Sequence, residues 1–217
     1  MSEPELDRGT TRMEAFSDGF FAIVITLLVL ELRPPDLPEE ASSFLLERHL
    51  LELWPHAVAF LISFVNIFIM WVTHHELMRI TTRADTRFLY LNGGLLFGVA
   101  LAPFSTALVA EHALGPGASV AAAVYAGVFL WVALFLNLLW RYLAAHPDRL
   151  LSTVTPHDRR RISRTYGVTL GLYVAAFVLS FWLPLASIAV TLALAVFFAV
   201  IDRLSGFASE DIADNEP

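Results

Sequence analysis

The stretch "RMEAFSDGFFAIVITLLVLELRP", residues 12 to 34, sets ionisable side chains at the head of a long apolar run. Arg12, Glu14 and Asp18 stand at its start, and no charge occurs from Phe20 to Leu30. About 20 predominantly apolar residues in a helix cross about 30 Å of hydrocarbon, so the stretch reads as a membrane-spanning helix. A carboxylate near lipid is costly unless it is paired, so Asp18 needs a donor. On a helical wheel of about 100° per residue, Phe16, Phe20, Ile23, Leu27 and Leu30 fall within an arc of about 80°. Asp18, Ala22, Ile25 and Val29 lie on the far side. Arg12 and Asp18 are about 240° apart around such a helix and cannot pair along one face. Asp18 must therefore find its partner on another span.

Similar apolar runs recur along the 217 residues, at roughly 53–74, 88–110, 118–143, 165–183 and 185–203, giving six spans with the first at 16–32. Composition agrees: 57% of residues are hydrophobic and 16% charged, with a mean hydropathy of +0.63. A soluble domain carries about 25% charged residues. The expected fold is an all-α membrane protein, with residues 13–205 as the transmembrane domain, 1–12 as an N-terminal segment and 206–217 as a disordered acidic tail. The last two runs are separated only by Pro184. Together they are too long for one span, so Pro184 marks a hairpin turn. The first fifteen residues are polar, so no cleaved signal peptide is expected.

All fourteen basic residues are arginine. Arg8, Arg12, Arg79, Arg83, Arg87, Arg141, Arg149, Arg159, Arg160, Arg161, Arg164 and Arg203 fall on one side of the six-span arrangement, and only Arg33 and Arg48 on the other. The positive-inside rule then puts both termini in the cytoplasm. With abundant Ala, Leu and Val, arginine-only usage suggests a bacterial protein of the inner (cell) membrane. The first outer loop has the reverse character, with Glu31, Asp36, Glu39, Glu40, Glu47 and Glu52. An acidic mouth concentrates cations within a Debye length of about 8 Å.

Partners for Asp18 lie at the same membrane level. "MWVTHHE", residues 70–76, supplies Trp71, His74, His75 and Glu76; "RFLYLNGG", residues 87–94, supplies Arg87 and Asn92. Asp18 reads first as a structural tie from the first helix to the second and third, with an ion contact or a proton-carrying role left open. The histidines are expected to hydrogen-bond to Asp18 or Ser17.

Arg12-x-x-x-Phe16-Ser17-Asp18 resembles the signature that opens the first helix of the transmembrane protein 175 family of potassium channels. "LLVLEL" at 27–32, "FIMWVTHHEL" at 68–77 and "LYLNGGLLFGVALAPFSTAL" at 89–108 extend the likeness over the first three spans. The last three agree by hydropathy alone. The resemblance implies a homotetramer of single six-span repeats, with the first helices lining a passage for potassium ions. It further implies constrictions at Ile23, Leu27 and Leu30, on the stripe found from the wheel, with Thr26 presenting a hydroxyl near the path. A narrow apolar ring can gate by dewetting and select by the cost of stripping an ion's water. The chain has no Thr-Val-Gly-Tyr-Gly filter loop.

The main alternative is a proton-coupled secondary transporter using Asp18 with His74 and His75. Such transporters place broken helices in matching halves. Here Pro103 alone should kink a span, with Ser105 or Thr106 near to satisfy freed carbonyls. An enzyme is not expected: no nucleophile elbow accompanies Ser17 and Asp18, and cysteine is absent. His74-His75-Glu76 lacks the spacing of a metal site, and neither a metal, a cofactor nor a nucleic-acid partner is expected. Gly94-x-x-x-Gly98 and Gly167-x-x-x-Gly171 permit close helix approach. "RRRISR", at 159–164, suits membrane lipid headgroups or a plain cytoplasmic anchor.

Overall fold

The computed structural model describes residues 8–34, 37–38, 42–194 and 196. Among them all regular structure is helical. Helix α1 (Arg8–Leu27) is followed by a 3-10 turn (Leu28–Glu31), then α2 (Ser43–Glu52), α3 (Trp54–Arg79), α4 (Thr86–Ala100), α5 (Ala102–His112), α6 (Ala118–Ala145) and α7 (Pro156–Leu179). A further apolar helix, α8, covers Pro184–Leu194. Five segments are long and apolar enough to cross a membrane: Gly9–Glu31, Trp54–Arg79, Thr86–His112, Ala118–Ala145 and Pro156–Leu179. They correspond to the first five runs read from the sequence.

The helix starts follow from local chemistry. Asp85 caps α4 by accepting from the backbone N–H of Phe88 at 3.0 Å. Thr155 and Asp158 close a capping box on α7, with Pro156 at the first helical position. Pro103 breaks the third span between α4 and α5 at Leu101, as its missing N–H requires. The hydroxyls of Ser105 and Thr106 both reach the carbonyl of Ala102, at 3.0 and 2.8 Å. That carbonyl lies one residue before the proline. Pro184 opens α8 after a turn through Ser180–Trp182, and Ser187 Oγ donates back to the carbonyl of Ala176 at 2.8 Å. The described part of α8 thus folds against α7. Apart from residue 196, the rest of the sixth run lies outside the described residues, as do residues 1–7 and the acidic tail.

Helix α6 forms the spine. Tyr125, Phe129, Val132, Leu139, Trp140 and Leu143 are all buried on it. It packs on α4 and α5 on one side and on α7 on the other, while α3 packs on α5 and α1 on α3, α4 and α5. The α4–α6 contact is close because of two glycines. A Cβ added at Gly94 would stand 2.0 Å from Phe135 Cε1, and one at Gly98 2.5 Å from Trp131 Cδ1. Gly167 and Gly171 differ from the expectation: nothing lies within 4 Å of a Cβ at either. The small-xxx-small spacing allows approach but does not supply a neighbour, and α7 turns that face outward.

One end of the bundle is clasped by its loops. Thr10 Oγ1 accepts from the backbone N–H of Ala84 at 3.0 Å. The N–H of Thr82 donates to the carbonyl of Arg149, and that of Leu151 to Ile80, at 2.9 and 3.0 Å. Asp85 Oδ2 joins Tyr142 at 2.6 Å and Arg149 at 2.8 Å. The start of α1, the α3–α4 connection and the α6–α7 connection therefore share one end. The described arginines that the sequence placed together lie in these segments or on the adjoining ends of α3, α4, α6 and α7. At the far end α2 runs into α3 through the single residue Leu53.

Candidate functional site

Helix α1 is two-faced. Thr10, Met13, Ser17, Phe21 and Val24 are buried against α3, α4 and α5, and Leu28 in the following 3-10 turn continues the buried strip. Off that buried strip, about 100° around the helix, Phe16, Ile23, Leu27 and Leu30 are 64, 60, 42 and 63% exposed, and Ala22 and Val29 beyond them are exposed as well. Phe16, Ile23, Leu27 and Leu30 are four of the five stripe residues from the wheel; Phe20 is half-buried. Thr26 stands on the same uncovered side, its hydroxyl donating to the carbonyl of Ile23 at 2.8 Å. Leu30 departs from the expected geometry, because it belongs to the 3-10 turn rather than to α1. With about 2.0 Å of rise per residue there instead of about 1.5 Å, Leu30 stands farther along the axis than an unbroken α-helix would place it.

The polar side of α1 meets its partners through two contact sets. Ser17 Oγ donates to the carbonyl of Met13 at 2.9 Å and accepts from Asn92 Nδ2 at 2.9 Å. The Asn92 amide then presents Oδ1 to His74 Nε2 at 2.9 Å, which places the imidazole proton on Nε2. Ser17, His74 and Asn92 are all buried, and the ring of Phe21 packs 5.6 Å from that of His74. In the second set, Trp71 Nε1 donates to Asp18 Oδ1 at 2.8 Å. His75 Nδ1 stands 3.3 Å from Glu14 Oε1, and its ring stacks on Trp71 with centroids 5.9 Å apart.

Asp18 thus takes its donor from another span, as its position on the wheel requires. The histidines deviate from expectation. His74 reaches Ser17 only through Asn92, because the amide fills the gap where α4 crosses α1 and α3. His75 turns about 100° away from His74 and faces Glu14 instead. Glu76 leaves the cluster and pairs with Arg79 at 3.0 Å on the surface. Arg12, first residue of the signature, is exposed. Sequence reasoning missed Glu14 as a member of the site. The signal was its spacing one helical turn before Asp18, which puts both carboxylates on one face.

The acidic outer loop is described only in part. Asp36, Glu39 and Glu40 lie outside the described residues, while Glu47 and Glu52 are exposed on α2, with Glu52 paired to Arg48 at 3.2 Å.

Comparison with known proteins gives the ancestry. The family described as endosomal/lysosomal potassium channel TMEM175 matches residues 12–103, the part that holds both contact sets. A potassium channel of Chamaesiphon minutus is 47% identical over 88% of this chain and 94% of that one. A potassium channel of Streptomyces collinus is 42% identical over 61% of this chain and 63% of that one. The crystal structure of a lysosomal potassium-selective channel TMEM175 homolog from Chamaesiphon minutus superposes with a TM-score of 0.78, at 45% identity, over 88% of this chain and 97% of that one. With its uncovered α1 face and with Ser17 and Asp18 tied to the second and third spans, this chain is a membrane protein of the TMEM175 family.

Proposed function

We propose that four copies of this chain assemble around a common axis and conduct potassium ions passively between their α1 helices. The observation that carries this reading is the division of α1 into a bonded face and a bare one. A helix whose Ser17 and Asp18 are held from behind presents Phe16, Ile23, Thr26, Leu27 and Leu30 forward in a fixed rotation. In a single chain that apolar face would suit lipid equally well. The relative from Chamaesiphon minutus, named a potassium channel and alike over nearly the whole chain, favours the axis.

The mechanism follows from hydration. Rings of Ile23, Leu27 and Leu30 offer an ion no oxygen ligands, so an ion must cross them with part of its water removed or rearranged. Potassium holds its water less tightly than sodium and pays the smaller barrier. A ring tight enough to dewet closes the path without any moving gate. Thr26, between the rings, offers a hydroxyl oxygen where water is scarce. The cytoplasmic end is the clasped, arginine-bearing end of the bundle, and the membrane is the bacterial inner membrane. The proton-coupled alternative gains nothing from the geometry, since Asp18 is bonded by an indole and His74 by an amide.

Purified protein in potassium-loaded liposomes tests the proposal. Expected is a potassium efflux, driven by its gradient alone, that exceeds sodium efflux and scales with protein. Absence of flux from verified tetramers, or flux only when a proton gradient is imposed, overturns it.

A further inference from the structure

We propose that Glu14, Asp18 and His75 form a binding site for a first-row divalent metal ion of the zinc or cobalt type, which ties α1 to α3. One ligand atom from each of the three residues lies within 4.8 Å of the others, and all three side chains are half-buried. Two carboxylates held so close in a partly buried place need positive charge between them. His75 supplies one charge when protonated; a divalent ion supplies two and uses the imidazole lone pair as well.

Geometry favours the metal. A tetrahedral ion with bonds of about 2.0–2.1 Å sets its ligand atoms about 3.3 Å apart. Glu14 Oε1 and His75 Nδ1 stand 3.3 Å apart. His75 Nδ1 is enclosed and faces Glu14 at 3.3 Å without hydrogen-bond geometry, so the nitrogen is left unsatisfied by that contact. An Asp18 carboxylate oxygen already stands within 4.8 Å of the Glu14 and His75 ligand atoms. Oδ1 of Asp18 is held by the Trp71 indole, the outer-shell contact that orients a ligating carboxylate. The same indole stacks on the imidazole at 5.9 Å and restrains the ring.

Ligand chemistry selects the ion. One imidazole nitrogen with two carboxylates suits zinc, cobalt or nickel, whereas calcium and magnesium ask for oxygen alone. Partial exposure leaves room for water in the fourth position. The site rests on α1 and α3 alone and not on the conduction reading. If α1 lines a passage, a metal there would also hold that helix to its neighbour and change the flux.

The test is cobalt binding to metal-free, purified protein, read from the visible d–d bands of a tetrahedral ion. Expected are bands saturating at about one cobalt per chain, displaced by zinc, with His75→Ala and Glu14→Gln each weakening binding at least about 10-fold. His112→Ala, at an exposed histidine on α5, should bind as the unaltered protein does. Should either variant fail to fold, quenching decides: cobalt in the site lies beside Trp71 and should quench its fluorescence saturably, with reversal by zinc. No bands and no quenching in folded protein, or bands that survive both substitutions, overturn the proposal. Potassium flux is a separate readout, so a silent channel that still binds cobalt sinks only the conduction reading.

Discussion

Trp71 on α3 gives its indole N–H to Asp18 on α1 at 2.8 Å, so the carboxylate inside the first span is held by a neutral donor from the second. The indole N–H supplies the carboxylate with a bond that lipid cannot. Asn92 does the matching task for the residue before it, linking Ser17 to His74 at 2.9 Å on each side. Together they set the rotation of α1 about its own axis, and that rotation decides which residues face forward.

Removing these ties should cost stability before it alters ion preference. Asn92→Ala leaves the His74 Nε2–H without its acceptor and Ser17 Oγ without its donor, at about 1–3 kcal/mol for each buried group left unpaired. Asp18→Ala orphans the Trp71 indole in the same way. Thermal unfolding in detergent should show both variants well below the unaltered protein. If Asp18→Ala instead gives abundant, stable protein with a changed ion preference, Asp18 contacts the ion and is not a tie.

The forward face gives a contrast between positions two residues apart. Ile23 is exposed, whereas Ile25 packs partly buried against the core. Ile23→Asn should put amides into the narrow ring, wet it, raise total flux and lower potassium-over-sodium discrimination, because sodium carries the larger dehydration cost. Ile25→Asn should lower thermal stability instead and leave discrimination unchanged. Equal flux ratios in folded Ile23→Asn and unaltered protein would remove the apolar-ring mechanism.

Gly94 and Gly98 should not tolerate a methyl group. A Cβ at either lies inside the contact distance of the Phe135 or Trp131 ring, so Gly94→Ala and Gly98→Ala force α4 and α6 apart. Such overpacking costs about 1–3 kcal/mol. Gly171→Ala, with open space around it, should be neutral or slightly stabilising because it favours the helix. Melting temperatures of the three variants measured side by side check the ranking.

The loop clasp should weaken in acid. The Tyr142 hydroxyl, then the Phe88 backbone N–H, then the Arg149 guanidinium hold the Asp85 carboxyl down to about 2. A carboxyl lowered on folding stabilises the fold above its ordinary range, and that contribution is lost as pH falls through about 2. Asp85→Asn keeps an N-cap for α4 but loses the charge. Its melting temperature should lie below that of the unaltered protein at pH 5 and converge with it between about pH 4 and 2. A constant gap across that range would show that the charge of Asp85 does not stabilise the clasp.

Topology can be read chemically, since the chain has no cysteine of its own. Ser43 and Ser152 are both exposed and lie toward opposite ends of the bundle. In intact cells a membrane-impermeant thiol reagent should label Ser43→Cys and leave Ser152→Cys untouched until the membrane is opened. The reverse pattern overturns the cytoplasmic placement of the clasped end.

The sequence by itself determined what is local or additive along the chain. Five apolar runs became spans because hydropathy over about 20 residues outweighs any single side chain, and the arginines collected at one end. The α1 stripe was legible as well, because helical spacing sets faces without reference to neighbours. Pro103 and Pro184 broke helices where their missing N–H groups required it. Tertiary structure alone decided which group met which. Trp71 rather than a histidine met Asp18, Asn92 came between Ser17 and His74, and Glu14 joined His75. It also decided that Gly94 packs on an aromatic ring while Gly167 meets nothing, and that Leu30 falls in a 3-10 turn. Each of these depends on where one helix crosses another and how far each is turned about its axis. Those quantities are set by the fit of many side chains across an interface, and no periodicity within one segment contains them.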